Sequence, residues 1–258
     1  VATIAILGCG PAGLAAAEAA VSLGHSVIIA SSSNKPSKIY GCQYLHEPVP
    51  GYEEVPHTRV GYWLNGTPDQ YRKKVYGEKW KGKVSPEDFV GEHDAWDIRA
   101  TYTAMWDRLH NNRTVHFVRI HPIANGELPD TIYNQEPKII ISTIPARALC
   151  YVREHEFLFH SIWAMGSTTK GLDADDTIIC DGTEEHTWYR QASVFGYRTT
   201  EWSRNPTGGE IASAVVKPLA TSCNCYPHIY RIGRYGKWLK SYLVHEAYPD
   251  VTRILRDA

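Results

Sequence analysis

Residues 5–31 read AILGCGPAGLAAAEAAVSLGHSVIIAS, and this stretch decides the fold. The run TIAIL at 3–7 is short, apolar and suited to a buried parallel strand. Gly8, Gly10 and Gly13 follow as G-x-G-x-x-G, the Ala-rich segment 12–23 is a strong helix former that ends at Gly24, and a second apolar run occupies 27–30. Strand, glycine turn, helix and strand in that order point to a dinucleotide-binding βαβ unit. Gly8 permits the tight turn, Gly10 lets the backbone approach a pyrophosphate, and Gly13 lets helix and strand pack closely. The helix N-terminus, opened by Pro11 and Ala12, offers the free N–H groups that follow the proline, and positive potential, to the anion. A glycine-punctuated unit that binds nothing is the weaker alternative, because each glycine loosens local structure unless something needs the room.

Working outward, Ser31 stands where such units usually end in an acid. A serine hydroxyl accepts hydrogen bonds from a ribose more weakly than a carboxylate, and the missing charge leaves room for a phosphate. With Ser32, Ser33, Asn34 and Lys35 next, the segment suits either the 2′-phosphate of NADP or the ribose of FAD. The bulk numbers set wider limits. A chain of 258 residues, 43% hydrophobic, can bury a full core as one large domain or two small ones. A net charge of −1 confines any nucleic-acid binding to a local patch. No apolar stretch approaches the roughly 18 residues of a membrane span, and no basic segment precedes the first apolar run, so no membrane association and no signal peptide are expected. Six cysteines without regular spacing read as reduced thiols of a cytoplasmic protein.

The other end of the chain separates the cofactors. RIGRYGKWLKSYLVHEAY (231–248) carries a strand at about 229–232, then Gly233-Arg234, then Gly236, with an amphipathic helix expected from about Lys237. A nicotinamide-only fold has little use for a second glycine turn feeding a helix. FAD is long, and its flavin needs a second helix N-terminus where negative charge gathers on reduction. The pairing of GCGPAGL with IGRYGKW resembles FAD proteins of the glutathione-reductase-like superfamily, especially the branch with UDP-galactopyranose mutase and the amine oxidases. KIIISTIPA (138–146) and TWYRQASVFG (187–196) are similar to stretches of that branch. YGCQYLHEPVPG (40–51), with the C-terminal motif, resembles a group of small phage-encoded FAD-dependent oxidoreductases that act on hypermodified thymidine.

The resemblance implies an α/β, Rossmann-like FAD-binding fold with a small inserted α+β substrate cap. It puts Gly8, Gly10, Pro11, Ala12 and Gly13 at the pyrophosphate, Ser31 at the adenosine ribose and the Val118 backbone at the adenine. Gly233 and Arg234 would serve the phosphate or ribityl region and the turn from Gly236 through Lys237 to Trp238 the flavin, with Thr143 a further cofactor-binding residue. The FAD domain is expected from about 1–60, 112–150 and 226–258, with the cap from about 61–111 and 151–225. The implied reaction is oxidation of a carbon–nitrogen bond, an amine losing hydride to the flavin and molecular oxygen reoxidising it. The implied substrate is a glycyl-modified thymidine in phage DNA, giving an aminomethyl pyrimidine and glyoxylate in the host cytoplasm. A non-redox mutase on a sugar nucleotide, an NADPH-linked reductase and a non-catalytic binding module are the alternatives.

Several further groups are candidates. In the loop at 40–51, Gln43, Tyr44 and His46 can meet the flavin edge, Gln43 as donor and acceptor and His46 as a titrating group. Cys42 is a conceivable redox thiol, but no C-x-x-C partner accompanies it. Tyr189 and Arg190 offer an aromatic wall and an anion clamp, although strand alternation directs only one of them to the flavin side. Arg198 is a second candidate for a substrate carboxylate. In YRKKVYGEKWKGK (71–83), Arg72, Lys73, Lys74, Lys79, Lys81 and Lys83 interleave with aromatics including Trp80, as in a nucleic-acid groove or a solvated hairpin. Cys223, Cys225 and His228 are zinc-ligand types at tight spacing with no fourth partner, so no metal is expected. Segment 94–110 reads as an amphipathic core helix capped by Asp94 with Trp96, Ile98, Tyr102, Met105, Trp106 and Leu109 on one face, and 47–68 as an irregular excursion.

Overall fold

The computed structural model describes residues 2–258 apart from 34, 35, 37, 42, 79–81, 83, 85–89, 124, 129–131, 133, 135, 169–175 and 207–211. Cys42 and Trp80, with Asn34, Lys35, Lys79, Lys81 and Lys83, therefore lie outside the described residues. The chain opens with strand β1 (Thr3–Leu7), helix α1 (Pro11–Ser22) and β2 (Ser26–Ser31), then runs through β3 (His57–Asn65), α2 (Pro68–Tyr76), β4 (Gly91–Trp96) and α3 (Ile98–His110). It continues with β5 (Val115–Arg119), β6 (Ile139–Ser142), β7 (Phe157–Thr168), β8 (Thr177–Asp181), β9 (Arg190–Val194) and β10 (Tyr197–Trp202). Strands β11 (Ser213–Thr221) and β12 (Ile229–Arg231) precede a one-turn helix, Gly233–Lys237, and a C-terminal helix, Ala247–Asp257.

Five strands form one parallel sheet ordered β12-β6-β1-β2-β5. Ile4, Ala5, Ile6 and Leu7 are all fully buried, with no alternation, because helices and loops cover both faces of the sheet. On one face α1 is sandwiched between β1, α3 and the C-terminal helix, and the alanines of α1 let these neighbours approach closely. Ile98, Tyr102, Met105, Trp106 and Leu109 bury themselves there from α3, each such side chain contributing about 1.5–3 kcal/mol. The seven-stranded second sheet runs β11-β7-β10-β9-β8-β3-β4, antiparallel except where β3 meets β8. Among the described residues no helix is long and apolar enough to cross a membrane.

Four expectations are corrected. Segment 47–68 holds the nine-residue strand β3, whose half-exposed alternation is diluted by charged and glycine positions. Segment 94–110 is split: Trp96 closes β4, opposite His57, and the helix starts at Ile98. Its cap is Asp97, whose Oδ1 accepts from the Arg99 and Ala100 amides at 2.8 and 3.3 Å, while Asp94 pairs with His57 at 3.4 Å. Both aspartates are good caps, and only strand pairing chooses between them. Residues 68–76 are a helix rather than a hairpin arm, started by a Thr67–Gln70 capping box. No helix begins at Lys237; the short helix ends there, and Trp238 leaves it in a left-handed conformation with φ of 53°. In addition, α3 packs on α1 although it falls in the segment 61–111.

A Cβ on Gly13 would sit 2.1 Å from the Gly8 carbonyl oxygen, whereas one on Gly10 would meet nothing within 4 Å. Gly13→Ala is therefore expected to lower unfolding free energy by at least about 1–3 kcal/mol through forced overpacking. Urea denaturation should show Gly10→Ala close to wild type.

Candidate functional site

Because five strands run parallel, their carboxyl ends share one edge, where open α/β sheets bind ligands. Gly8 leaves β1 with φ of +104°, and its amide donates to Ala30 O at 2.8 Å. Thr143, just past β6, donates from its amide and its hydroxyl to Leu7 O at 2.9 and 3.0 Å. Its Oγ1 lies 2.7 Å from where a Gly8 Cβ would be, so Thr143 braces the turn. Pro11 is the first helical residue, where its missing N–H leaves no partner wanting. The Tyr102 hydroxyl donates to Cys9 O at 2.7 Å, and the Cys9 thiol to Ser31 Oγ at 3.1 Å, which tie α3 and the end of β2 to the glycine loop. Val118 pairs with Ala30 beside this edge.

The far end of the chain arrives at the same place. Gly233 has φ of +76°, and a Cβ on it would lie 2.9 Å from the Ala12 Cβ. A Cβ on Gly236 would lie 2.5 Å from Ser142 O. The short helix thus rests on the first turn of α1. Its flanking side chains are anchors. Trp238 is buried, donates from Nε1 to Leu158 O at 2.8 Å and meets the Phe157 ring edge-on at 5.5 Å. Lys237 pairs with Asp250 at 2.7 Å and lies 4.1 Å above the Tyr242 ring. Arg234 Nε donates to Tyr242 O at 3.4 Å, and burial holds its guanidinium below the usual range.

The inward face of the second sheet closes this edge. Register puts Arg190 opposite Glu201, Glu201 opposite Ala164, and Lys217 opposite His160, all on one face. Glu201 is buried and accepts from the Tyr189 hydroxyl at 2.5 Å and from Lys217 Nζ at 3.0 Å. Burial pushes the Glu201 carboxyl up, but the Lys217 and Arg190 charges and the Tyr189 bond outweigh it and hold it down at about 2. Burial lowers Lys217 against the opposing pull of Glu201, and burial followed by the Lys217 charge lowers His160. Burial, then Glu201, raises the Tyr189 phenol well above its ordinary value.

A cavity of about 610 Å³ lies between this face and the α3 side, with Arg99, Tyr102, Tyr40, Ala164, Tyr197 and Thr199 among its walls. Arg99 stacks over Tyr197 at 4.2 Å and donates to Gly41 O at 3.2 Å. The Thr199 hydroxyl is buried there without a hydrogen-bond partner among the described residues.

Of the sequence candidates, Tyr189 and Arg190 both reach the Glu201 cluster, because Tyr189 precedes β9 and escapes its alternation. Arg190 also donates to the Tyr62 hydroxyl at 3.3 Å. Gln43 is exposed and donates to Tyr40 O at 2.7 Å; Tyr44 is buried against the Tyr62 hydroxyl at 2.8 Å. His46 is exposed, 4.8 Å from the Tyr44 ring and 6.2 Å from His245. Arg198 points to the opposite face from Arg190, so the two do not share a site. Arg72 and Lys73 pair with Asp69 at 2.8 and 3.2 Å. Lys74 binds buried Asp181 at 2.6 Å and the carbonyls of Thr183 and His186. Lys73 and Lys74 still border a second hollow of about 630 Å³, with Trp188, Trp202 and Arg204. His228 packs against Tyr226 at 5.7 Å. Sequence reading missed Arg99, Thr199, Glu201 and Lys217. The available signal was YRTTEW (197–202), which sets an acid in phase with apolar inward positions.

No protein-family model matches the sequence, and no curated protein matches it. Solved structures do match, over nearly the whole chain. PqsL of Pseudomonas aeruginosa, described as a probable FAD-dependent monooxygenase, is 10% identical with a TM-score of 0.59, covering 99% of this chain and 87% of that one. 2,6-Dihydroxypyridine-3-hydroxylase from Arthrobacter nicotinovorans is 11% identical, TM-score 0.53, covering 99% and 83%. 2-Methyl-3-hydroxypyridine-5-carboxylic acid oxygenase is 11% identical, TM-score 0.51, covering 100% and 88%. At these identities the likeness is one of fold: the chain has a Rossmann-like α/β architecture, with a second sheet beside its parallel one.

Two outcomes check the electrostatic reading. Lys74→Ala should cost about 3–5 kcal/mol by stranding buried Asp181, whereas Lys73→Ala at the surface should cost under about 1 kcal/mol. Glu201 is depressed on folding, so its contribution is full above its ordinary value near 4.5 and is lost as pH falls toward about 2. Acid denaturation of Glu201→Gln should be flatter across that window, on a lower baseline.

Proposed function

We propose that this chain is an FAD-dependent oxidoreductase. The observation that carries the reading is the seating of Gly233 on Ala12, which brings two glycine-opened helix starts together at the nucleotide edge. A pyrophosphate needs backbone it can touch, and the open space at Gly10 supplies that. Gly8 to Gly13 and Ser31 would hold the adenosine diphosphate half, with Val118 at the adenine; Gly233 and Arg234 would hold the ribityl half. When bound, FAD supplies a two-electron acceptor for hydride, with molecular oxygen as the final acceptor.

As substrate we propose an amine that bears a carboxylate, and as its specific form glycyl-modified thymidine in phage DNA. Arg190, Lys217 and Arg234 outnumber Glu201 in the cluster under the short helix, an environment suited to an anion. Arg99 and the Thr199 hydroxyl add a cation and a hydrogen-bonding group in the adjoining cavity. The net change consumes the glycyl amine, one O2 and one water and gives the aminomethyl pyrimidine, glyoxylate and hydrogen peroxide. The N–Cα bond of the glycyl group is oxidised and then hydrolysed. DNA would lie along the second hollow, where Lys73, Trp188, Trp202 and Arg204 join cations to aromatic faces. The likeness in fold to oxygenases favours a second reading, monooxygenation of an aromatic ring with NAD(P)H as reductant.

Anaerobic spectra separate these readings. The purified protein should be yellow and bleach with the glycyl nucleoside alone, and digested DNA should then contain the aminomethyl product. Bleaching only with NADPH would favour the monooxygenase, and no uptake of FAD would end both. Gly10→Ala should weaken FAD binding at least about tenfold while the fold persists, since its methyl enters the pyrophosphate space.

A further inference from the structure

Two of the four connections that carry the chain between the sheets converge on four ligand-bearing side chains. Cys150 and His155 lie on the way from β6 out to β7, and Cys223 and Cys225 on the way back from β11 to β12. Strands β6 and β12 are neighbours in the parallel sheet, and β7 and β11 are neighbours in the second, so outgoing and returning segments run side by side. One ligand atom from each of the four residues lies within 4.8 Å of the other three. Cys150 Sγ is 3.3 Å from His155 Nδ1 and 3.9 Å from Cys225 Sγ, and Cys225 Sγ is 3.5 Å from His155 Nδ1.

These separations can be compared with a metal's demands. Zinc bonds of about 2.3 Å to sulfur and about 2.05 Å to nitrogen, held tetrahedrally, require S···S edges of about 3.8 Å and S···N edges of about 3.6 Å. The three distances agree to within a few tenths of an ångström. A disulfide would instead need sulfurs about 2.05 Å apart and would leave the third thiol and the imidazole without a role.

The surroundings fit as well. Arg231 donates from Nη1 to Cys223 O at 2.8 Å, and from Nη2 to Cys225 O at 2.7 Å and to Cys223 Sγ at 3.4 Å. It therefore shapes the Cys-x-Cys turn and sets a cation beside a centre that, with three thiolates around a dication, would carry one negative charge. Cys223 and Cys225 are buried, and thiolate with imidazole is a donor set for zinc rather than for magnesium or calcium. Sequence reading saw only Cys223 and Cys225, with His228 as a third, and expected no metal. The two missing ligands come from the other crossing.

We propose that Cys150, His155, Cys223 and Cys225 form a structural zinc site that fastens the β6–β7 and β11–β12 connections to each other. All four positions are taken by protein, so the site is closed and has no place for substrate. Its role is to fix how the second sheet sits over the nucleotide edge. This inference is independent of the flavin reading.

Protein made in zinc-supplemented medium and purified without chelator should contain about one zinc per chain by elemental analysis. Cobalt added to stripped protein should give the visible bands of tetrahedral Co2+ together with thiolate charge transfer. Cys225→Ser should lose the metal, and Cys180→Ser, in the core of the second sheet, should keep it. Wild-type protein that holds no zinc and gives no tetrahedral cobalt spectrum would overturn the proposal, whatever the variants do. A Cys150–Cys225 disulfide in non-reducing peptide maps, or full zinc in Cys225→Ser, would overturn it equally.

Discussion

The structure depends on backbone meeting backbone without side chains between. Gly13 lies so close to the Gly8 carbonyl that a single methyl would overlap it, and Gly233 presses on Ala12 with a positive φ. The first contact holds α1 tightly against β1 and leaves its N-terminus open above Gly10. The second delivers the far end of the chain to the same spot. A ligand with two separated polar ends can then be held by residues more than two hundred positions apart, because a parallel sheet gathers all its strand ends on one edge.

The second sheet is joined to this edge by charge as much as by apolar packing. Glu201 is buried yet remains ionised because Lys217, Arg190 and the Tyr189 hydroxyl surround it. A buried ion cluster of this kind adds little net stability compared with an apolar filling, since desolvation opposes the attraction. It does fix one arrangement of β9, β10 and β11. The same arrangement leaves an excess of cations toward the short helix and a polar hollow toward α3. By contrast, the basic helix α2 spends its lysines on holding Asp181 and Asp69, so its charge is mainly structural.

Of the four crossings that link the sheets, the β6–β7 and β11–β12 connections converge on the three thiols and the imidazole at one corner. Their position matters because Trp238 and Leu158 join the short helix to β7 directly beyond that corner. Orientation of the second sheet, seating of the short helix and shape of the cavity are therefore set by neighbouring contacts rather than by one.

The sequence alone determined the first βαβ unit. Apolar runs of parallel-strand length, an alanine-rich helix and glycines at fixed offsets are local signals, and each reports a constraint within a few residues of itself. The return of Gly233 to the glycine loop was readable for the same reason, as a second turn of the same chemistry. What only tertiary structure decided involves pairing across distance. Asp97 rather than Asp94 caps α3 because β4 claims the intervening residues. Glu201 meets Lys217, and Cys150 and His155 meet Cys223 and Cys225, because strands far apart in sequence lie side by side. No spacing rule along one strand reports its neighbour's register, so those partners appear only once the sheets are formed.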